Sequence, residues 1–261
     1  MIKDIEKSII KKYRKEIWSK FSKAIRNYDL VSENDKIAVC ISGGKDSFLL
    51  AKCMQELQRH GKIKFDLEFI IMNPGYTEEV INRIKENLKI LNIDAKIFDT
   101  PIFEIADKEK SPCYKCAKMR RGYLYDYAKK IGCNKIALGH HMDDVIETIM
   151  LGLIYNGTYS SMLPKLDSDN FENMQLIRPL YLVMEADITK WQEFNMLKFS
   201  GCACSVTKKT DGKRILMKKL LKDMEKYNKD VKRSIFTSST NVNLNTVIGY
   251  KNENNKYNKY D

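Results

Sequence analysis

The sequence predicts an α/β fold built on a mainly parallel sheet. Two observations carry that reading. Short apolar runs alternate with longer stretches of helical periodicity between residues 36 and 154, and the first apolar run passes through a glycine turn straight into the first helical stretch. Alternation of this kind makes right-handed crossovers, and folds of this class hold their ligands at the carboxyl ends of the strands.

In chain order, residues 3–27 place Ile5, Ile9, Ile10, Tyr13, Ile17, Phe21, Ala24 and Ile25 near a 3.6-residue period. One basic amphipathic helix packed on the body is expected there, its Lys and Arg residues also offering a face to a polyanion. Strands are expected at 36–41, 65–72, 95–98, 135–138 and 175–177, with helices between them at about 46–60, 77–92, 115–131 and 143–154. Residues 156–169 are rich in turn formers and read as an exposed loop. Helices at about 186–196 and 212–228 follow, and the Asn/Lys-rich tail from Tyr250 reads as frayed.

Composition narrows the function. The chain has 261 residues, enough for one large domain or two small ones with a full core. Hydrophobic residues make up 43% and charged residues 31%, which excludes wholesale disorder. No apolar run reaches 18 residues and the N-terminus has no apolar signal region, so neither a membrane span nor an export signal is expected. The net charge of +12 points to a large polyanion, nucleic acid ahead of membrane. Seven cysteines, an odd number, fit cytoplasmic thiol or metal chemistry better than a disulfide framework.

The apolar run Ile37-Ala38-Val39-Cys40-Ile41 leads directly into Ser42-Gly43-Gly44-Lys45-Asp46-Ser47, and Phe48-Leu49-Leu50-Ala51 then opens a helix. A strand–glycine turn–helix unit presents free backbone N–H groups and a positive dipole end to an anion. Adjacent glycines allow close approach of a phosphate; Lys45 adds a point charge, and Ser42 and Ser47 add hydroxyl donors. A Walker A loop would need glycine at Val39 and Ser or Thr at Asp46, and no G-x-G-x-x-G occurs. Asp46 inside a phosphate cradle makes chemical sense if Mg²⁺ bridges it to the phosphates. The plain structural alternative is a tight turn with Asp46 at a helix N-terminus.

The fourth strand ends at Gly139-His140-His141-Met142-Asp143-Asp144. At helical spacing His140, Asp144 and Glu147 would share a face. Beside a phosphate loop, Asp144 can help hold Mg²⁺ and the histidines can line a nucleotide pocket, whereas Asp143 and Asp144 also simply suit a helix N-terminus. Lone His60 reads as an exposed helix-end residue.

Cys113-Tyr114-Lys115-Cys116 is a CxxC ahead of a basic helical stretch (Lys118, Arg120, Arg121), and Cys202-Ala203-Cys204 is a CxC some ninety residues later. Nearby positive charge lowers thiol pKa values. Three readings stand: a structural zinc site on all four, an iron–sulfur cluster on three of them, or a redox or persulfide pair. Cys40, Cys53 and Cys133 read as small core residues.

SGGKDS at a strand–helix junction resembles the PP-loop of the ATP pyrophosphatase superfamily, which implies ATP cleaved between its α- and β-phosphates and an adenylated substrate. With Cys-x-x-Cys-x-x-x-Arg-Arg-Gly (Cys113 to Gly122), Ala137-Leu138-Gly139-His140-His141-x-Asp143-Asp144, Leu163-Pro164-Lys165-Leu166, Ile177-Arg178-Pro179-Leu180 and a closing cysteine cluster, all in order, the chain resembles the tRNA 2-thiocytidine synthetase (TtcA) family over roughly residues 5–245. The resemblance implies a PP-loop/adenine nucleotide alpha hydrolase-like sheet. It implies nucleotide binding by Ser42, Gly43, Gly44, Lys45, Asp46, Ser47, Met72, Gly139 and His140, and chemistry served by Lys45, Asp46 and Asp144. It further implies a [4Fe–4S] cluster on three cysteines with one iron open for sulfur. Cys113 and Cys116 are one arm and Cys202, where the family's last cluster begins, is the third ligand. The family's CxxC is a CxC here, and Cys204 is the competing third ligand.

The expected protein is therefore a cytoplasmic tRNA thiolase that adenylates the C2 oxygen of an anticodon-loop cytidine at position 32 and replaces it with sulfur. ATP, Mg²⁺ and the cluster are its cofactors. A sulfur donor such as a cysteine desulfurase, tRNA and a second copy of the chain are its partners. Lys165 and Arg178 are candidate phosphate or tRNA contacts, or else surface salt-bridge partners. The expected division is 1–30 basic helix, 31–205 PP-loop domain with the cysteines, 206–250 helical segment and 251–261 disordered tail. A 2-thiouridine synthetase, or a nucleotide-sensing module with structural zinc, are the alternatives; the zinc-finger modules of the former are absent.

Overall fold

The computed structural model describes residues 2–106, 112–199, 212–251 and 256–259. Its main sheet has six strands: β1 (Lys36–Cys40), β2 (Asp66–Asn73), β3 (Ala95–Asp99), β4 (Lys135–Ala137), β5 (Lys165–Asp167) and β6 (Gln175–Ile177). They lie in the order β3-β2-β1-β4-β6-β5, and every pair is parallel except β5 with β6. The expected α/β class with a mainly parallel sheet is what forms.

β1 is central because it is apolar on both faces, as a doubly covered parallel strand must be. Ile37, Val39 and Ile41 enter the larger core with Phe48, Leu49 and Ile149, while Ala38 and Cys40 enter a smaller one with Tyr125, Cys133 and Ile136. The chain runs from β1 to β2 and β3 on one side, then crosses to β4 on the other. That reversal between β1 and β4 opens a crevice at their carboxyl ends.

The covering helices are α1 (Ile2–Lys7), α2 (Ser19–Asn27), α3 (Lys45–His60), α4 (Glu78–Leu91), α5 (Ile102–Ala106), α6 (Pro112–Lys130), α7 (Met142–Asn156), α8 (Glu185–Phe194), α9 (Gly212–Met224) and α10 (Val231–Ser238). The first crossover helices match the expected spans closely. α10 falls within the helical segment expected at 206–250, beyond the individual helix expected at about 212–228.

Three expectations change. Residues 3–27 are not one α-helix: π-helical stretches at Ser8–Lys12 and Arg14–Trp18 join α1 to α2. The apolar residues 5, 9, 13, 17, 21 and 25 repeat every four positions, and a straight α-helix would rotate that stripe by about 40° per step. Wider turns, with i→i−5 bonds such as Tyr13 N–H to the Ser8 carbonyl at 2.8 Å, keep it facing the body. Ser8 Oγ accepts from Trp191 Nε1 and Asn195 Nδ2, both at 3.1 Å, so the wide turn also docks α8.

Second, the loop expected at 156–169 contains β5, whose Leu166 is exposed; pairing with the edge of β6, and not burial, makes it a strand. Third, the tail expected to be frayed forms an antiparallel pair, β7 (Gly249–Lys251) with β8 (Lys256–Asn258), in which Tyr250 lies opposite Tyr257 with ring centroids 5.1 Å apart. No helix among the described residues is long and apolar enough to cross a membrane.

Candidate functional site

β1 ends where the glycine loop begins, and α3 starts at Lys45. Gly43 has φ +89°, a left-handed conformation that favours glycine. Gly44 is the extended N-cap residue, and a Cβ built there meets only Ser42 Oγ at 3.8 Å, so the space above it is open. Ser42 and Ser47 were expected as free donors. Both hydroxyls bond within the loop: Ser42 Oγ donates to Ser47 Oγ at 3.2 Å, and Ser47 Oγ accepts the Ser42 N–H at 3.1 Å and donates to the Gly44 carbonyl at 2.9 Å.

β4 carries Gly139 against this loop. A Cβ on Gly139 would lie 3.0 Å from Ser47 N and 3.1 Å from the Asp46 carbonyl carbon, so the strand end and the helix start touch through bare backbone. The two motifs read separately in the sequence thus form one crevice.

Lys45 Nζ lies 3.1 Å from Asp46 Oδ1 and 3.0 Å from Glu185 Oε1. Burial opposes the Lys45 charge, yet the two carboxylates outweigh it and raise the pKa. Met72, expected beside an adenine, is buried at the end of β2, where Asn73 Oδ1 accepts the Gly75 and Tyr76 N–H groups at 3.1 and 2.7 Å.

The histidine motif is placed differently from its helical reading. α7 begins only at Met142, so His140 precedes the helix and shares no helical face with Asp144 and Glu147. His140 is partly buried, its Nδ1 enclosed without a hydrogen-bond partner, and burial pushes its pKa down to about 4. It is neutral at pH 7. His141 stands between the two aspartates: Nε2 is 3.8 Å from Asp46 Oδ1 and Nδ1 is 3.4 Å from Asp144 Oδ2. Asp144 Oδ2 also accepts the His141 backbone N–H at 2.9 Å, capping α7.

Several members of the site were missed. Glu185, at the start of α8, bridges Lys45 and Lys218, with both ammonium groups 3.0 Å from its carboxylate. Burial would raise its pKa, but bonds from Lys218 and Lys45 prevail and bring it to about 2. Arg214 of α9 lies 3.4 Å from Asp144 and 3.5 Å from Glu147. Asp143, buried, accepts the Glu185 N–H at 2.7 Å and pairs with Lys232 of α10 at 3.2 Å. Nothing local in the sequence separates these charges from ordinary solvated helix residues.

Among the described residues neither Lys165 nor Arg178 has a salt-bridge partner within 4 Å. Lys165 Nζ donates to the Asp29 carbonyl at 3.1 Å. Arg178 is 9% exposed, donates from Nη1 to the Leu163 carbonyl, and has its pKa pushed down to about 10 by burial.

Cys113 and Cys116 fall in the first turn of α6, but their side chains lie outside the described set, and Cys202 and Cys204 lie outside the described residues altogether. The remaining cysteines, Cys40, Cys53 and Cys133, are buried core thiols whose pKa values rise with burial. Among the described residues no group of three or more His, Cys, Asp or Glu side chains is arranged to hold a metal ion. His60 is exposed at the end of α3, as expected.

Residues 13–203 match the family model of a PP-loop domain. The chain is 37% identical to the tRNA-cytidine(32) 2-sulfurtransferase of Geobacter metallireducens over 89% of this chain and 91% of that one. It is 34% identical to tRNA-cytidine(32) 2-sulfurtransferase 1 of Francisella tularensis subsp. novicida, over 95% and 94%. Among solved structures, the U34-tRNA thiolase NcsA from Methanococcus maripaludis with its [4Fe-4S] cluster shares the fold, with TM-score 0.68 and 23% identity over 89% of this chain and 80% of that one. With its loop, its strand-end motif and these relatives, the chain belongs to the PP-loop family, in the branch that holds the tRNA-cytidine(32) 2-sulfurtransferases.

Proposed function

We propose that this protein is an ATP-dependent tRNA thiolase that replaces the C2 oxygen of cytidine 32 with sulfur. The observation that carries the reading is the contact of Gly139 with Ser47, which puts the phosphate loop and the His140–Asp144 segment in one crevice at the sheet's carboxyl edge.

The open space above Gly44 and the start of α3, which no side chain caps, fit a polyphosphate. Lys45, now held by carboxylates, exchanges Glu185 for phosphate when ATP binds. The base of ATP lies toward Met72. The C2 oxygen of the cytidine attacks the α-phosphate and pyrophosphate leaves, so the base oxygen becomes part of AMP, a good leaving group. Sulfide-level sulfur then attacks C2 and AMP departs with the former C2 oxygen; where the donor delivers persulfide sulfur, a two-electron thiol reductant brings it to that level. Lys45 stabilises charge on the phosphates. His140 is neutral and takes no charge into the pocket. Asp46 Oδ1 is enclosed and accepts no hydrogen bond, its neighbours being the Lys45 ammonium at 3.1 Å and His141 Nε2 at 3.8 Å; it is the oxygen that would hold Mg²⁺ once Lys45 turns to phosphate.

A right-handed crossover from β3 to β4 brings the N-terminus of α6, with Cys113 and Cys116, to the same edge as the loop. These two and Cys202 would hold a [4Fe–4S] cluster, which when bound supplies an iron open to sulfur. The sulfur comes from a donor such as a cysteine desulfurase. The enzyme works in the cytoplasm as a homodimer.

Mass-spectrometric analysis of tRNA nucleosides from a deletion strain tests the reading. Loss of 2-thiocytidine with 2-thiouridine unchanged is expected. Intact 2-thiocytidine would overturn it, and absence of pyrophosphate release on adding tRNA and ATP would favour a sensing module.

A further inference from the structure

Asp144, the carboxylate read as serving the reaction, is held from two sides. Its Oδ2 accepts the His141 backbone N–H at 2.9 Å, and its Oδ1 faces Arg214 Nη1 at 3.4 Å. The first bond is made within α7's own cap. The second comes from α9, seventy residues further along the chain. Arg214 also reaches Glu147 Oε2 at 3.5 Å, one turn further along α7. Glu147 is 2% exposed, whereas Arg214 is 41% exposed. A cation set at the rim over a buried carboxylate and a partly exposed one keeps a hydrated side, so it retains its charge at small desolvation cost. Without it, Glu147 would keep only the more distant Lys218, 3.8 Å away, and Asp144 would be held by His141 at Oδ2 alone, leaving Oδ1 without a cation to fix the carboxylate plane.

We propose that Arg214 is a positioning residue for the thiolation chemistry: it fixes the orientation of the Asp144 carboxylate at the mouth of the phosphate loop. The proposal rests on the reading that Asp144 serves adenylation. It separates Arg214 from its neighbour on the same helix, Lys218, which shares Glu147 at 3.8 Å but makes its shorter pair with Glu185 at 3.0 Å, on the Lys45 side of the crevice, and has no bond to Asp144.

The test is a double-mutant cycle on the full-length protein, following tRNA-dependent pyrophosphate release and, separately, calorimetric ATP binding. Arg214→Gln is expected to lower kcat about 10- to 100-fold while ATP affinity stays within about twofold, because orientation and not ground-state binding is lost. Arg214→Lys, which keeps the charge without the fork, is expected to recover part of that loss. Added to Asp144→Asn, Arg214→Gln is expected to cost nothing further, whereas Lys218→Gln added to Asp144→Asn is expected to lower ATP affinity as it does alone. Additive losses for Arg214→Gln and Asp144→Asn would overturn the proposal and leave the function standing. So would an Arg214→Gln variant that melts earlier but turns over at the original rate. Full turnover by Asp144→Asn would overturn the role of Asp144, and with it the proposal.

Discussion

The Cβ that Gly139 lacks would stand 3.0 Å from the backbone nitrogen of Ser47, tighter than most side-chain carbons pack against backbone. Two segments almost a hundred residues apart meet there without any side chain between them. Gly139→Ala is therefore expected to shift the segment after β4 from the start of α3 by a few tenths of an ångström. Overpacking of this kind costs about 1–3 kcal/mol. The expected outcome is a lower melting temperature with ATP affinity reduced at least tenfold, read by calorimetry. Unchanged affinity would show that the loop does not depend on this contact.

Gly44 tests the cradle without disturbing the fold. Its missing Cβ points into open space, so Gly44→Val is expected to fold with a melting temperature close to the parent's and to bind no ATP. ATP binding by this variant at the parent's affinity would remove the phosphate from this position.

Glu185 makes a pH-dependent contribution to stability. Its folded-state pKa is about 2, below the ordinary carboxylate value, because Lys218 and Lys45 hold its ionised form against the effect of burial. A depressed pKa stabilises the fold fully above the unfolded value and ceases to do so as pH falls through the folded one. The contribution, on the order of 2 kcal/mol, should fade between about pH 4.5 and pH 2. Melting curves of the parent and Glu185→Gln are expected to differ most near pH 6 and to converge near pH 2. A constant difference across that window would contradict the pairing.

The parallel strands and their crossover helices were legible because each strand carries a short apolar run, continuous in β1 and broken by Glu68 in β2 and Lys96 in β3, between helices that keep their period. β5 was not, since Leu166 faces solvent and an edge pairing leaves no apolar signature. The glycine loop and the Gly139–Asp144 segment were legible for a similar reason: each is contiguous, and its chemistry is local. Glu185, Arg214, Lys218 and Lys232 come from three later helices. Their spacing looks like that of any solvated helix charge, so only the packing of α8, α9 and α10 on the loop reveals them.

The basic surface predicts salt-dependent tRNA binding. If Z phosphates are neutralised, log K should fall against log salt with a slope of about −0.7Z to −0.9Z. Lys118 and Arg121 are exposed on α6, whereas Arg120 lies partly covered, its guanidinium carbon 5.6 Å from the Phe103 ring centre. Replacing Lys118 and Arg121 with Ala is expected to reduce the slope and weaken tRNA binding with ATP affinity unchanged. A tRNA affinity indifferent to salt would sink this.

The cysteines are tested by single Ser variants reconstituted anaerobically. Loss of the broad absorption near ~400 nm is expected for Cys113, Cys116 and Cys202, and its retention for Cys204. Retention in the Cys202 variant with loss in the Cys204 variant would exchange the third ligand. Stoichiometric zinc without iron in anaerobically purified protein would replace the cluster altogether.

The ion pair between Asp143 and Lys232 has a consequence for how the protein is made. Lys45 leaves the ribosome 187 residues ahead of Lys232, an interval of about 10–40 s at ordinary rates of synthesis. Throughout that interval the nascent loop can form on β1 and α3, while the acidic groups of α7 still wait for Arg214, Lys218 and Lys232 to emerge. The crevice is electrically finished last. A truncated chain ending before α9 would carry Asp143, Asp144 and Glu147 without their cations, and ribosome-stalled chains of increasing length should acquire protease resistance in α7 only once α10 has cleared the exit tunnel.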